Sequence, residues 1–261
     1  MTVLDALILG IIEGITEFLP ISSTGHLMLA AHMLGLTQTE FLTSFEIAIQ
    51  SGAIFAVMVL YARRLITDLA LAKRIAAAFV PTAVIGFLLY RTVKDYLLVD
   101  ARMMIATLFF GGVGLIVFEW WYARHASPKR SAPDGEETKI SYPKAIMIGL
   151  CQSVAMAPGV SRAAATIIGG LALGINRKTI VEFSFLLAVP TMLAATGLDL
   201  IKSAGAFDAS EFWILAAGFA AAFATALASI VWLLRFIKTH TFTSFGVYRI
   251  LAAAAFWLFL L

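Results

Sequence analysis

Leu19-Pro20-Ile21-Ser22-Ser23-Thr24-Gly25-His26 interrupts an apolar segment, Leu4 to Leu36, that is otherwise long enough to cross a membrane. Proline removes a backbone donor and the hydroxyls of Ser22, Ser23 and Thr24 compete for backbone partners, so a helix stops here. Each arm keeps only about 11 to 16 residues, which at about 1.5 Å per residue falls short of a hydrocarbon core of about 30 Å. The segment therefore reads as a re-entrant helical hairpin. A second segment, Ala145 to Ile175, is broken in the same way by Ala157-Pro158-Gly159-Val160-Ser161-Arg162.

Outside the hairpins, six apolar stretches read as spans: Leu42 to Ala62, Ile75 to Tyr90, Met103 to Tyr122, Phe183 to Ile201, Phe212 to Leu234 and Val247 to Leu261. Composition agrees, because 61% of the 261 residues are hydrophobic and 13% charged, with a mean hydropathy of +0.93. A soluble surface of this size needs roughly twice that charge. Lipid is the partner of the remaining surface, and a disordered or nucleic-acid-coating protein is excluded. The expected fold class is thus an all-α integral membrane protein, six transmembrane helices plus two hairpins in one polytopic domain covering 1–261. Cys151 is the single cysteine, which rules out an intramolecular disulfide. Asp5, Glu13 and Glu17 break the first apolar stretch and no Lys or Arg precedes Arg63, so the N-terminus does not read as a cleavable signal.

With both hairpins returning to their starting side, the loop cations sort onto two faces. Arg63, Arg64, Lys73, Arg74, Arg124, Lys129, Arg130, Lys139, Lys144, Arg177, Lys178, Arg235 and Lys238 share one; Arg91, Lys94, Arg102 and Lys202 share the other. The richer face is expected to be cytoplasmic, with both termini outside. The polar run 124–144 reads as a solvated linker between a first repeat, 1–123, and a second, 145–261. A shift of 139 lays Gly10-Ile11-Ile12-Glu13 on Gly149-Leu150-Cys151-Gln152 and Ile21-Ser22 on Val160-Ser161. Each half is a hairpin (4–36, 145–175) followed by three spans, and an odd number of spans makes the repeats inverted. The helices that start after the two breaks then aim free N–H groups at a shared space, which makes an anion site.

Glu13 and Glu17 lie one helical turn apart, and Arg162 sits in the opposite break. Facing lipid, the three charges would cost roughly 9 kcal/mol in total, so they are paired, solvated or neutralised. Pinning the hairpins together would explain the charges alone. It does not explain Ser22, Ser23, Thr24 and His26, which supply hydroxyls and a titratable base beside the carboxylates. Arg162 offers a planar fork to phosphate oxygens, and two carboxylates can hold Mg²⁺ or Ca²⁺ against a phosphorylated substrate.

Glu13-Gly14-Ile15-Thr16-Glu17-Phe18-Leu19-Pro20-Ile21-Ser22-Ser23-Thr24-Gly25-His26 resembles the signature of the undecaprenyl-pyrophosphate phosphatase (bacitracin-resistance) family, and Pro158-Gly159-Val160-Ser161-Arg162 its second motif. The likeness continues through Glu182-Phe183-Ser184-Phe185-Leu186-Leu187-Ala188-Val189-Pro190; Ala163 departs from it, standing where the family usually has serine. The resemblance implies removal of the terminal phosphate of the C55 isoprenoid pyrophosphate held in the bilayer, on the outer side of the bacterial cytoplasmic membrane. That reaction recycles the lipid carrier of peptidoglycan synthesis. It also implies Ser23 as nucleophile, His26 as base or acid, Glu17 and Glu13 on metal or proton duty, Arg162 on the phosphates, and Ser22, Thr24, Ser161 and Gly159 around them. His26 as a phosphorylated nucleophile is the alternative. A transporter or flippase is the rival class, and it needs neither Ser23 nor His26.

Weaker signals read as packing or solvation. Gly10 and Gly14 pack the hairpin arm, with a homodimer contact as the alternative. Gly111-Gly112-Val113-Gly114 packs helices rather than binding a dinucleotide. Glu46 and Gln50 either back the site or are solvated, and Trp120, Trp121, Tyr122 and Tyr248 fit an interfacial belt.

Overall fold

The computed structural model describes residues 1–37, 39–92, 101–125, 140–202 and 211–260. Lys94, Lys129, Arg130, Lys139 and the linker's core, 126–139, lie outside them. The helices are α1 (Val3–Thr16), α2 (Ser23–Met33), α3 (Glu40–Thr67), α4 (Leu69–Thr92), α5 (Ala101–His125), α6 (Tyr142–Ser153), α7 (Arg162–Ala172), α8 (Arg177–Lys202), α9 (Phe212–Phe236) and α10 (Thr243–Leu260). No strand occurs among the described residues.

Local chemistry sets the helix starts. Thr2 and Asp5 form a capping box on α1, with Thr2 N–H donating to Asp5 Oδ2 at 2.7 Å. Thr39 caps α3 through Leu42 N–H at 3.1 Å, and Ser161 caps α7 through Ala164 N–H at 3.2 Å. Both breaks fall where the prolines and hydroxyls place them, and the two restarted helices, at Ser23 and Arg162, are 139 residues apart.

Five helices, α3, α4, α5, α8 and α9, are long and apolar enough to cross a membrane. The sixth expected stretch lies in α10, whose 18 residues reach about 27 Å. Apolar side chains such as Phe87, Leu88, Phe110, Trp213 and Leu258 cover the outside of the bundle, as lipid contact requires.

Packing repeats between the halves. α1 lies on α9 as α6 lies on α4; α3 meets α9 as α8 meets α4; α10 touches α2 as α5 touches α7; α3 pairs with α8 and α5 with α10. Ion pairs gather one end of the bundle. Arg64 donates to Glu182 at 2.8 Å, Arg177 grips Glu119 at 2.5 and 2.9 Å, and Phe242 N–H reaches the same carboxylate at 2.9 Å. α4 starts at this end and α9 finishes there.

Each hairpin arm runs alongside its partner in the same direction. Added methyl groups at Gly10 and Gly14 would collide with the α9 backbone at Gly218 and Ala222, and one at Gly149 with the α4 backbone at Ala78. The arms thus come in from opposite ends, and their tips meet inside the bundle.

Candidate active site

The two tips touch directly. Ser161 Oγ donates to Leu19 O at 3.4 Å, and Thr107 of α5 donates to Pro158 O at 2.6 Å. Arg249 of α10 ties them together, donating to Pro20 O at 3.3 Å, Gly159 O at 3.0 Å, Leu108 O at 3.3 Å and Thr107 O at 3.1 Å. Arg249 is 1% exposed. The sequence reading did not single it out, although a lone charge inside an apolar stretch was the available signal. Gly111 leaves room for its guanidinium, which a side chain would occupy.

Between the tips lies a cavity of about 240 Å³, lined by Glu17, Ser22, Ser23, Thr24, Ser161 and Arg162 together with Gln50, Thr82, Gln152, Thr191 and the apolar Ala155, Met156, Val160, Met192 and Ala195. Ser23 Oγ donates to Glu17 Oε2 at 2.6 Å, a short charge-assisted bond. Glu17 Oε1 faces Arg162 NH2 at 3.4 Å, and Arg162 NH1 donates to Ser184 O at 2.9 Å. Arg162 Nε has no acceptor among the described residues. The guanidinium therefore holds Glu17 loosely while keeping a donor unspent beside the cavity.

Ser22 is the one non-glycine residue with positive φ among the described residues, at 72°. That backbone turn presents the start of α2 to the cavity, where the Ser22 side chain makes no cap bond. Free N–H groups at a helix start favour an anion. Gly159 also has positive φ, at 79°, and a side chain there would meet Thr107 and Met104. Its carbonyl goes to Arg249 and it does not line the cavity.

His26 stands apart from the Ser23–Glu17 pair. Its Nδ1 donates to Ser22 O at 2.7 Å, which leaves Nε2 to accept from Tyr248 OH at 2.7 Å. Tyr248, expected in an interfacial belt, stacks on His26 with ring centroids 5.5 Å apart.

Glu13 is fully buried, and neither carboxylate oxygen has a hydrogen-bond partner among the described residues. Glu17, Glu46 and Arg162 are the charged groups around it. Glu46 thus belongs to the site's surroundings and Gln50 to its wall. No group of three or more His, Cys, Asp or Glu side chains gathers into a metal cage among the described residues.

A model of the bacitracin resistance protein BacA family matches residues 6–255 of this sequence. The chain belongs to that family. Among curated proteins, the undecaprenyl-diphosphatase of Aquifex aeolicus (strain VF5) is 51% identical over 99% of this chain and all of its own length. Those of Sulfurihydrogenibium sp. (strain YO3AOP1) and Persephonella marina are each 47% identical, over 99% and 100% of this chain and over 99% and 100% of their own. The likeness runs through both hairpins and the helices that line the cavity.

Proposed function

We propose that this chain is an undecaprenyl-diphosphate phosphatase, a phosphoanhydride hydrolase that releases the terminal phosphate of the C55 lipid diphosphate. The observation that carries the reading is Ser23 Oγ held at 2.6 Å by Glu17, with Arg162 against the same carboxylate. A nucleophile, its base and a phosphate-binding fork share one cavity.

The distal phosphate sits between the start of α2 and Arg162. Ser23 Oγ attacks its phosphorus while Glu17 takes the hydroxyl proton. The bond from phosphorus to the bridging oxygen breaks, and the lipid monophosphate leaves with that oxygen and the proton. Water then frees Ser23 and releases inorganic phosphate. His26 positions the Ser22 carbonyl through a ring whose other nitrogen is occupied by Tyr248, which favours Ser23 over His26 as nucleophile. Glu13, buried and without a hydrogen-bond partner among the described residues, would hold a divalent cation, Mg²⁺ or Ca²⁺, together with Glu17. Such a cation supplies charge neutralisation of the diphosphate.

The protein lies in the bacterial cytoplasmic membrane, with its ion-paired, arginine-rich end inside, the cavity reached from the outer side and the substrate's polyprenyl tail left in the bilayer. Phosphate release from undecaprenyl diphosphate by the purified chain in detergent tests the reading, with Mg²⁺, Ca²⁺ or chelator present. Ser23→Ala, Glu17→Gln and Arg162→Ala should each lower release about a hundredfold or more. A folded wild type that releases nothing under any of these conditions refutes it.

A further inference from the structure

The cavity that holds the Ser23–Glu17 pair is also lined by a neutral cluster that the reaction so far leaves unused. Gln152 Nε2 donates to Thr82 Oγ1 at 3.1 Å and to Thr191 Oγ1 at 3.0 Å. Thr82 in turn donates to Gly149 O at 2.9 Å, and Thr191 to Leu187 O at 2.8 Å. Because both threonine hydrogens go to carbonyls, both hydroxyl oxygens must accept from the amide. That fixes which way the amide faces. Its nitrogen points to the threonines and Oε1 points elsewhere.

Gln152 is 2% exposed and lines the cavity, and its Oε1 finds no donor among the described residues. Native structures seldom leave a buried carbonyl oxygen unpaired. Every N–H and O–H of the cluster is already spent, so what remains on offer is an acceptor. An anionic phosphate oxygen would meet it lone pair to lone pair. The occupant that fits is a small neutral donor. The internal repeat sharpens this, since Gln152 stands where the first hairpin has Glu13: the amide keeps the acceptor and drops the charge that would draw a cation.

We propose that Gln152 Oε1 holds the water consumed in the reaction, a binding site separate from the phosphate-binding side of the cavity. The inference rests on the phosphatase reading. In the second half of the reaction the water oxygen bonds to phosphorus as the phosphorus–Oγ bond of Ser23 breaks. One water proton passes through Glu17 to the Ser23 oxygen, and the other stays on the departing phosphate. Gln152 is a positioning residue: it takes no proton and fixes the direction of the water's lone pair.

The test offers the purified full chain undecaprenyl diphosphate with methanol as a competing acceptor, and measures methyl phosphate against inorganic phosphate. Gln152→Leu should slow phosphate release about tenfold, as expected for one lost hydrogen bond at the reacting water. It should also raise the methyl phosphate to phosphate ratio several-fold, because an apolar pocket no longer discriminates against a methyl group. Thr191→Val leaves Gln152 in place while loosening its orientation, and should move the ratio in the same direction by less. It decides the matter if Gln152→Leu does not fold. Slower hydrolysis at an unchanged ratio would make Gln152 merely structural and overturn the proposal, as would undiminished hydrolysis. Wild type that releases no phosphate would overturn the phosphatase reading itself, and this inference with it.

Discussion

Ser22 holds its φ of 72° against the steric preference of every residue with a Cβ, at a cost of about 1–2 kcal/mol. The strain lies where the chain turns to present α2 to the cavity, so stability and function pull apart at this residue. Ser22→Gly should raise the detergent-solubilised melting temperature by about 2–4 °C, and Ser22→Ala should not. Both remove a hydroxyl that lines the cavity and should lower turnover alike. A melting temperature unmoved by glycine would mean that the turn is not strained. Glu17 and His26 separate in the same way. Glu17→Gln should lower turnover about a hundredfold or more, whereas Tyr248→Phe, which strips His26 Nε2 of its donor, should lower it only about tenfold. Equal losses in a kcat comparison would place His26 among the reacting groups. The motif made Glu13, Glu17, Ser23 and Arg162 legible in sequence. The His26 partner was not legible, because Tyr248 lies 222 residues away and an aromatic near a span end has a bland explanation. Gln152, Thr82 and Thr191 were silent for a related reason: neutral polar side chains acquire meaning only when the fold aims them.

At the level of elements, the two breaks and the helices flanking them followed from proline, hydroxyls and arm length, and α1, α2, α6 and α7 sit where those signals place them. Span count was less legible. A stretch such as Val247 to Leu261 records hydropathy, whereas the helix that carries it, Thr243–Leu260, begins where Phe242 N–H is taken up by Glu119. What seats each hairpin arm is the absence of side chains. Gly14 and Gly149 let α1 and α6 press on the backbones of α9 and α4, whereas Gly114 of α5 faces open space. Gly149→Ala and Gly14→Ala should each destabilise by about 1–3 kcal/mol through forced separation. Gly114→Ala should be neutral or stabilising by up to about 1 kcal/mol, since alanine is the better helix former. Thermal unfolding in detergent checks all three, and a uniform response would mean that the glycines do not seat the arms.

For the whole molecule, the repeat in sequence becomes a repeat in packing, with α1 on α9 answered by α6 on α4. Side chains do not follow it: Ser23 lies opposite Arg162 and Glu13 opposite Gln152 under the same shift. One frame thus carries Ser23 and Glu17 on one tip and Arg162 on the other, so the nucleophile, base and phosphate-binding fork of the proposed reaction come from both halves and neither half holds all three. The frame also has a direction. Arg64, Arg74 and Arg177 meet Glu182, Tyr142 and Glu119 at one end, and the positive-inside rule assigns that end to the cytoplasm. Cys151 is the single cysteine, so a Cys151→Ser background permits one thiol at a time. Lys238→Cys lies between α9 and α10 at the arginine-rich end, and Thr37→Cys lies between α2 and α3 at the other. In intact cells a membrane-impermeant maleimide should label Thr37→Cys and spare Lys238→Cys until the membrane is opened. The reverse pattern would turn the protein over and place the approach to the cavity inside. Labelling of both sites in intact cells would mean that α3, with the helices after it, does not separate the two ends across a bilayer.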